Sequence, residues 1–409
     1  MDLAIARSAQ QPAQQSARPA PRAEHPAANI RAVRGHASFL ERSAFARSVG
    51  GFGEPVDAER RRGRGAGVNP SGRFEPISRH VFDDGWNTIE ELPPFRTEVQ
   101  VEQARTVLTR NDSPDLSFDR SVNPYRGCEH GCIYCFARPT HAHMGLSAGL
   151  DFESRLFAKP GAAALLAREL ARKGYDARPI ALGTNTDPYQ PVEREWKITR
   201  AILEVLEAAD HPVGIVTKSA LVARDIDILA RMAEKNLAKV AISVTTLDRS
   251  LARSMEPRAA TPPLRLATIR KLADAGIPVS VMVAPVIPAI NDHEIERILD
   301  SASGAGAREA GFILLRLPLE VSPLFRDWLQ RVFPDRYAHV MNLVRAMRGG
   351  RDYDAQWGER MRGSGPHAWT IARRFEIACR RLGLNVERRR LDCTRFRPPG
   401  QAGAQLALF

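Results

Sequence analysis

Asn123-Pro-Tyr-Arg-Gly-Cys-Glu-His-Gly-Cys-Ile-Tyr-Cys-Phe-Ala-Arg138 places Cys128, Cys132 and Cys135 within eight residues of a 409-residue chain that has five cysteines in all. A four-iron cluster needs one thiolate per iron, so three cysteines on one short loop leave the fourth iron open to an outside ligand. Zinc is the alternative. A structural zinc site is closed by four ligands and typically pairs two C-x₂-C units; here there is one triplet, and His130, the nearest further ligand, sits between two of its cysteines. Five cysteines without an apolar secretory core do not read as a disulfide framework.

Outward from this loop, short apolar runs alternate with amphipathic stretches from about residue 117 to 333. The runs are Arg178-Pro-Ile-Ala-Leu-Gly183, Val213-Gly-Ile-Val-Thr217, Lys239-Val-Ala-Ile-Ser-Val-Thr245, Val279-Ser-Val-Met-Val283 and Gly311-Phe-Ile-Leu-Leu315. Nearly continuous apolar strands are what a parallel sheet buried on both faces requires. Between them Ile198, Ile202 and Leu206 recur at helical spacing, as do Leu324, Trp328 and Val332. With the strand that feeds the cysteine loop, the count is about six β/α units. The expected fold is α/β, a partial (β/α)₆ barrel, with a doubly wound open sheet as the alternative. In such barrels the functional loops follow the C-terminal ends of the strands.

The C-x₃-C-x₂-C spacing, with Tyr134 just before the last cysteine, resembles the signature of radical S-adenosylmethionine (SAM) enzymes. That resemblance implies a 4Fe–4S cluster on Cys128, Cys132 and Cys135, SAM chelating the open iron, reductive release of a 5′-deoxyadenosyl radical, and an electron donor such as flavodoxin or ferredoxin. Gly183-Thr-Asn-Thr-Asp-Pro-Tyr-Gln-Pro-Val-Glu193, Leu150-Asp-Phe-Glu-Ser-Arg-Leu-Phe-Ala-Lys159, Val216-Thr-Lys-Ser219, Ser243-Val-Thr-Thr246 and Glu256-Pro-Arg258 resemble a narrower subgroup. These are the spore photoproduct lyase-like proteins, often called DNA repair photolyases of the radical SAM type. The resemblance implies SAM contacts from Tyr134, Gly183, Thr184, Asn185, Asp187, Ser243, Thr245 and Arg258, with Lys159 or Lys218 as further partners for its carboxylate. An ordinary turn is the alternative reading of the Gly183–Asp187 stretch. Spore photoproduct lyase uses a hydrogen-donating cysteine a few dozen residues beyond the cluster motif; this chain has none between Cys135 and Cys379. The candidates left to return a hydrogen atom are Cys379, Cys393 and Tyr189, with buried inert cysteine as the plainer reading of the two thiols.

Formal net charge is +12, which favours acidic partners such as nucleic acid, though an Arg- and Ala-rich chain also reflects base composition. No apolar run is long enough to cross a membrane, and the expected compartment is the cytoplasm. Residues 1–75 read as a largely disordered basic arm, 76–116 as a lead-in or cap, 117–333 as the barrel, 334–397 as a basic C-terminal extension and 398–409 as a flexible tail. The terminal Gln405-Leu-Ala-Leu-Phe409 resembles the peptide by which bacterial replication and repair proteins dock on the DNA polymerase sliding clamp. In that reading Leu406, Leu408 and Phe409 are the apolar contacts and Gln405 the polar one. The sequence therefore points to a radical SAM enzyme acting on damaged or modified DNA. Modification of RNA or protein, or a metal-bearing DNA or clamp adaptor without turnover, are the alternatives.

Overall fold

The computed structural model describes residues 53, 55–75 and 94–399. Its strands are β1 (Glu98–Val101), β2 (Leu108–Arg110), β3 (Arg120–Val122), β4 (Tyr125–Arg126), β5 (Arg155–Ala158), β6 (Ile180–Leu182), β7 (Val213–Thr217), β8 (Ala238–Ser243), β9 (Val279–Val286) and β10 (Glu309–Leu314). One sheet runs β10-β9-β8-β7-β6-β3-β2, its first six strands parallel and β2 antiparallel at the edge. This is the expected six-unit partial barrel. A smaller sheet, β1-β5-β4, delivers β4 directly into the cysteine loop.

The longer helices are α1 (Ala162–Leu170), α2 (Ile198–Ala208), α3 (Ile226–Glu234), α4 (Pro262–Asp274), α5 (Ile295–Gly304), α6 (Val321–Val332), α7 (Tyr337–Ala346) and α8 (Gly365–Arg381). On α2 the predicted stripe of Ile198, Ile202 and Leu206 is buried together with Leu203 against the sheet. Each such side chain contributes roughly 2 kcal/mol by leaving water. None of the described helices is long and apolar enough to cross a membrane.

Two stretches differ from their composition. Residues 55–75, expected to belong to a disordered arm, pack on the barrel: Ala66 and Val68 are buried, and Gly65 and Ala66 donate backbone N–H groups to the Glu153 carboxylate at 2.8 and 2.9 Å. A carboxylate buried in the barrel orders this segment, and composition carries no record of that partner. Residues 1–52 and the tail from 400 to 409, including Gln405, Leu406, Leu408 and Phe409, lie outside the described residues.

The basic C-terminal extension packs on the barrel through part of its surface, while Arg373, Arg380 and Arg381 of α8 are exposed. Arg374 makes a bidentate pair with Glu296 of α5 at 2.8 and 2.7 Å, Phe375 packs on Phe312 with ring centroids 4.8 Å apart, and Arg348 is buried. Arg360 pairs with Asp115 at 2.5 Å while Met361 accepts the Leu314 N–H at 2.9 Å. The extension thereby spans the open side of the sheet between β10 and the loop that joins β2 to β3.

Gly183, expected to let a ligand approach, also has a structural reason to be glycine. Its φ is +89°, and a Cβ there would stand 1.9 Å from the carbonyl oxygen of Val216, where β6 and β7 close together. Gly183→Ala is expected to destabilise the fold by about 2–3 kcal/mol, from left-handed strain plus the clash, read as a shift in the urea midpoint.

Candidate metal centre

The cysteine loop is built by backbone geometry before any metal is considered. Gly127 turns the chain out of β4 with φ +72°, at a point where a Cβ would come 2.6 Å from Leu156. Cys128 N–H then donates to the Phe152 carbonyl at 2.9 Å, and Ile133 N–H to that of Met255 at 3.0 Å. The fully buried Arg138 guanidinium fixes the loop from beneath. It donates to the carbonyls of Cys132 (2.9 Å), Gly131 (3.2 Å), Ala148 (3.0 Å) and Gly149 (2.9 Å), and it meets Glu153 at 2.5 Å. A buried ion pair repays its desolvation only when its remaining hydrogen-bonding positions are filled, and here both partners are saturated. Fifteen residues of separation gave no sign that Arg138 and Glu153 would meet.

Burial pushes the Cys128, Cys132 and Cys135 thiols up, and the charges of the three bear on one another; Lys218 draws Cys132 and Cys135 back down. Coordination by a metal would leave them deprotonated. Among the described residues no three or more His, Cys, Asp or Glu side chains are gathered closely enough to enclose a single ion. His130, which the zinc alternative needs, turns Nδ1 to Asp187 at 3.3 Å. The donor set, three soft thiols on one loop, fits a cluster with one open iron.

Asp187 does not present its carboxylate to a ligand. It is held by His130, the Thr217 hydroxyl (2.7 Å) and the backbone N–H groups of Lys218 and Tyr189 (both 2.9 Å), and so ties the cysteine loop to the end of β7. Burial pushes this carboxyl up, but the His130 charge and the surrounding donors prevail and bring it from 3.8 to about 2. A carboxyl depressed on folding gives stability that is complete above its unfolded value and is lost as pH falls through its folded one. In the metal-free chain, Asp187→Asn is expected to remove about 2 kcal/mol of the stability lost between pH 4 and pH 2, flattening that limb in urea titrations.

Other predicted residues divide into committed and free. The Tyr134 hydroxyl donates to Glu256, which also takes Arg265 and the Thr245 hydroxyl (2.7 Å), so Tyr134 and Thr245 are held by a buried hub. Nothing in the Glu256-Pro-Arg258 block marks Glu256 as the centre of this hub. Arg258 pairs with Glu129 at 3.0 Å, and Lys159 donates to the Asn123 carbonyl at 3.2 Å. Thr184, Asn185 and Ser243, by contrast, offer side chains with no hydrogen-bond partner among the described residues, although Ser243 itself is buried. Lys218 stands with its Nζ 5.7 Å above the Tyr134 ring and pairs with no carboxylate among those residues. The end of β7 thus sets an unneutralised ammonium beside the thiols.

Neither remaining cysteine is near this centre. Cys379, buried on α8, lies 3.8 Å from the Asn385 amide, which in turn bonds Ala310 at the start of β10. The segment carrying Cys393 bonds Asn236, just before β8, through Asp392 N–H at 2.9 Å. Both thiols therefore sit at the N-terminal ends of the strands, opposite the cysteine loop. Tyr189 is fully buried with its hydroxyl donated to Asp225 at 3.1 Å.

Comparison with known proteins bears on family and fold. The profile of the radical SAM superfamily matches residues 122–302. An uncharacterized protein of Mycobacterium tuberculosis is 38% identical over 232 residues, which cover 56% of this chain and 68% of that protein. An uncharacterized protein of Methanocaldococcus jannaschii is 25% identical over 222 residues, covering 54% and 79%. Among solved structures, spore photoproduct lyase complexed with dinucleoside spore photoproduct is similar with a TM-score of 0.52 at 16% identity, over 70% of this chain and 80% of that one. A variant of that enzyme with bound AdoMet and dinucleoside spore photoproduct gives 0.50 over the same shares. At such identity the likeness is one of fold.

Proposed function

The chain belongs to the radical SAM superfamily, and from that membership we propose that it cleaves SAM reductively and directs the resulting radical at damaged or modified DNA in the reducing cytoplasm. The cofactors are those of the superfamily, a 4Fe–4S cluster and SAM. In this reading Cys128, Cys132 and Cys135 hold three irons, leaving the fourth for SAM. When bound, the cluster supplies the electron that breaks a carbon–sulfur bond of the sulfonium and leaves methionine and a 5′-deoxyadenosyl radical.

The rest falls to the protein's own groups. Lys218 neutralises the SAM carboxylate, a role its missing carboxylate partner leaves open, while Thr184, Asn185 and Ser243 receive the amino group and ribose. Tyr134, fixed by Glu256, holds its ring beneath the Lys218 ammonium. Asp187 and Arg258 act at one remove, by holding the loop. The observation that carries the reading is the meeting of three thiols, two buried and Cys135 half-buried, with an ammonium that has no carboxylate partner among the described residues, at the C-terminal ends of the strands.

DNA as the substrate class is supported by the net charge of +12 and by the fold shared with a lyase whose solved complexes contain a dinucleoside photoproduct. A lesion in a duplex would have to be flipped toward the strand ends. Reversal of a photoproduct that ends on a thiol hydrogen finds no donor here, because Cys379 and Cys393 stand at the other end of the sheet. The test is anaerobic reconstitution followed by turnover of deuterated SAM with ultraviolet-damaged, alkylated or undamaged DNA and with RNA. Brown protein, 5′-deoxyadenosine release and label transfer with one DNA are expected; a colourless zinc protein that leaves SAM intact would falsify the reading. Clamp recruitment through the tail belongs to the same proposal. Deleting Gln405–Phe409 is expected to abolish co-purification with the sliding clamp while iron content stays unchanged.

A further inference from the structure

A cleft of about 540 Å³ is cut between residues 61–65, the short helix Arg249–Met255 and the end of α6. Five arginines line it: Arg61, Arg62, Arg64, Arg253 and Arg331. Arg64 is turned inward to the carbonyls of Glu153 and Phe95, and Arg331 is paired with Asp327 at 3.0 Å. Among the described residues the other three keep donors without a partner. Arg61 uses only its Nε, on the Val56 carbonyl at 3.1 Å, while Arg62 and Arg253 are exposed and have no acidic partner among the described residues. Burial and then the neighbouring Arg331 charge lower the Arg61 pKa, a crowding of like charge that an incoming carboxylate relieves.

The cleft's inner wall is one residue layer from the cysteine loop. Gly65 lies so close that a Cβ on it would fall 2.0 Å from the Gly131 carbonyl oxygen. Arg253 and Ser254 lead to Met255, whose carbonyl accepts the N–H of Ile133, the residue after Cys132. None of the strand-end residues assigned to SAM lines the cleft. Electron tunnelling falls exponentially with distance, so a reductant must approach the cluster closely from a side that SAM and substrate leave free.

We propose that this arginine cleft docks an acidic one-electron carrier protein that reduces the cluster. The proposal rests on the radical SAM reading above. One electron passes, the carrier being oxidised by one and the cluster reduced by one, with no transfer of protons or groups. Concave positive charge suits an acidic rim, steering encounter and fixing orientation. A nucleic-acid strand bound here would face the outer wall of the loop and not the strand ends where the radical forms.

The test compares two reductants on the full-length reconstituted protein: an acidic flavodoxin, and photoreduced deazaflavin as a small molecule that needs no docking. In the Arg62→Glu/Arg253→Glu variant, flavodoxin affinity by titration and the flavodoxin-driven rate of cluster bleaching are each expected to fall by at least about tenfold at low salt. The salt dependence of both should flatten. Deazaflavin-driven bleaching should stay within about twofold of the parent, because the substituted side chains are exposed and unpaired. Unchanged flavodoxin affinity overturns the proposal, as does an equal loss with both reductants. Weakened DNA binding with flavodoxin affinity intact also overturns it and assigns the cleft to phosphates. If deazaflavin bleaches the parent protein's cluster without SAM cleavage, it is the enzymatic reading that fails, and the affinity titration still decides the docking.

Discussion

Cys132→Ala is expected to lower SAM cleavage by at least about a thousandfold, with iron content after reconstitution falling in step. The three cysteines act as a unit. Removing one takes away a ligand that no neighbour can replace: among the described residues no other thiol lies near the loop, and His130 is turned to Asp187. The Cys132 side chain belongs to a core shared by Ile133, Tyr134 and Trp328 and has no hydrogen-bond partner for its thiol among the described residues. The fold should therefore survive, with a urea midpoint close to the parent's. That separation matters for interpretation. Lost activity with native stability and lost iron locates the defect at the cluster; full iron content with lost activity would mean the thiol serves another purpose. Cys379→Ala supplies the contrast, since its thiol lies at the far end of the sheet and its loss should leave 5′-deoxyadenosine release within about twofold.

Arg138→Met is expected to destabilise the protein by about 3–5 kcal/mol. The guanidinium is fully buried, supplies four backbone carbonyls and meets Glu153, itself fully buried. Methionine matches much of the volume but leaves Glu153 as a buried charge whose remaining donors are the backbone amides of Gly65 and Ala66. The urea midpoint should fall with little change in slope. Adding Glu153→Gln to that variant should recover part of the loss, because it removes the uncompensated charge while keeping an acceptor for those amides. No recovery would assign the loss to the abandoned carbonyls instead. For comparison, Arg178 and Asp176 also pair, at 2.9 Å, but are 59% and 70% exposed, and Arg178→Met should cost less than about 1 kcal/mol. A drop no larger than that at Arg138 would show that the loop does not depend on its buried pair.

Much of the barrel was legible because its determinants are local. Runs such as Val213–Thr217 and Val279–Val283 announce buried strands by composition and length alone, and the stripe on α2 announces its inward face. The cysteine triplet is local for the same reason: three ligands to one cluster on one loop must be close in sequence. Less visible was anything that depends on two distant segments meeting. The ordering of residues 55–75 depends on Glu153, and the span made by 334–397 depends on Asp115; composition marks the first as part of a largely disordered basic arm and the second only as a basic extension.

The same division runs through the site. Residue type and spacing by themselves determined the strand and helix pattern, the three cysteines proposed as cluster ligands and the set of strand-end residues worth inspecting, since these follow from periodicity and spacing. Only the tertiary structure decided which of those residues are free. Asp187, Thr245 and Arg258 carry suitable chemistry but spend it on His130, Glu256 and Glu129, whereas Lys218 does not. A polar side chain's role depends on whether its bonds are already satisfied, and that is a property of neighbours brought together by folding.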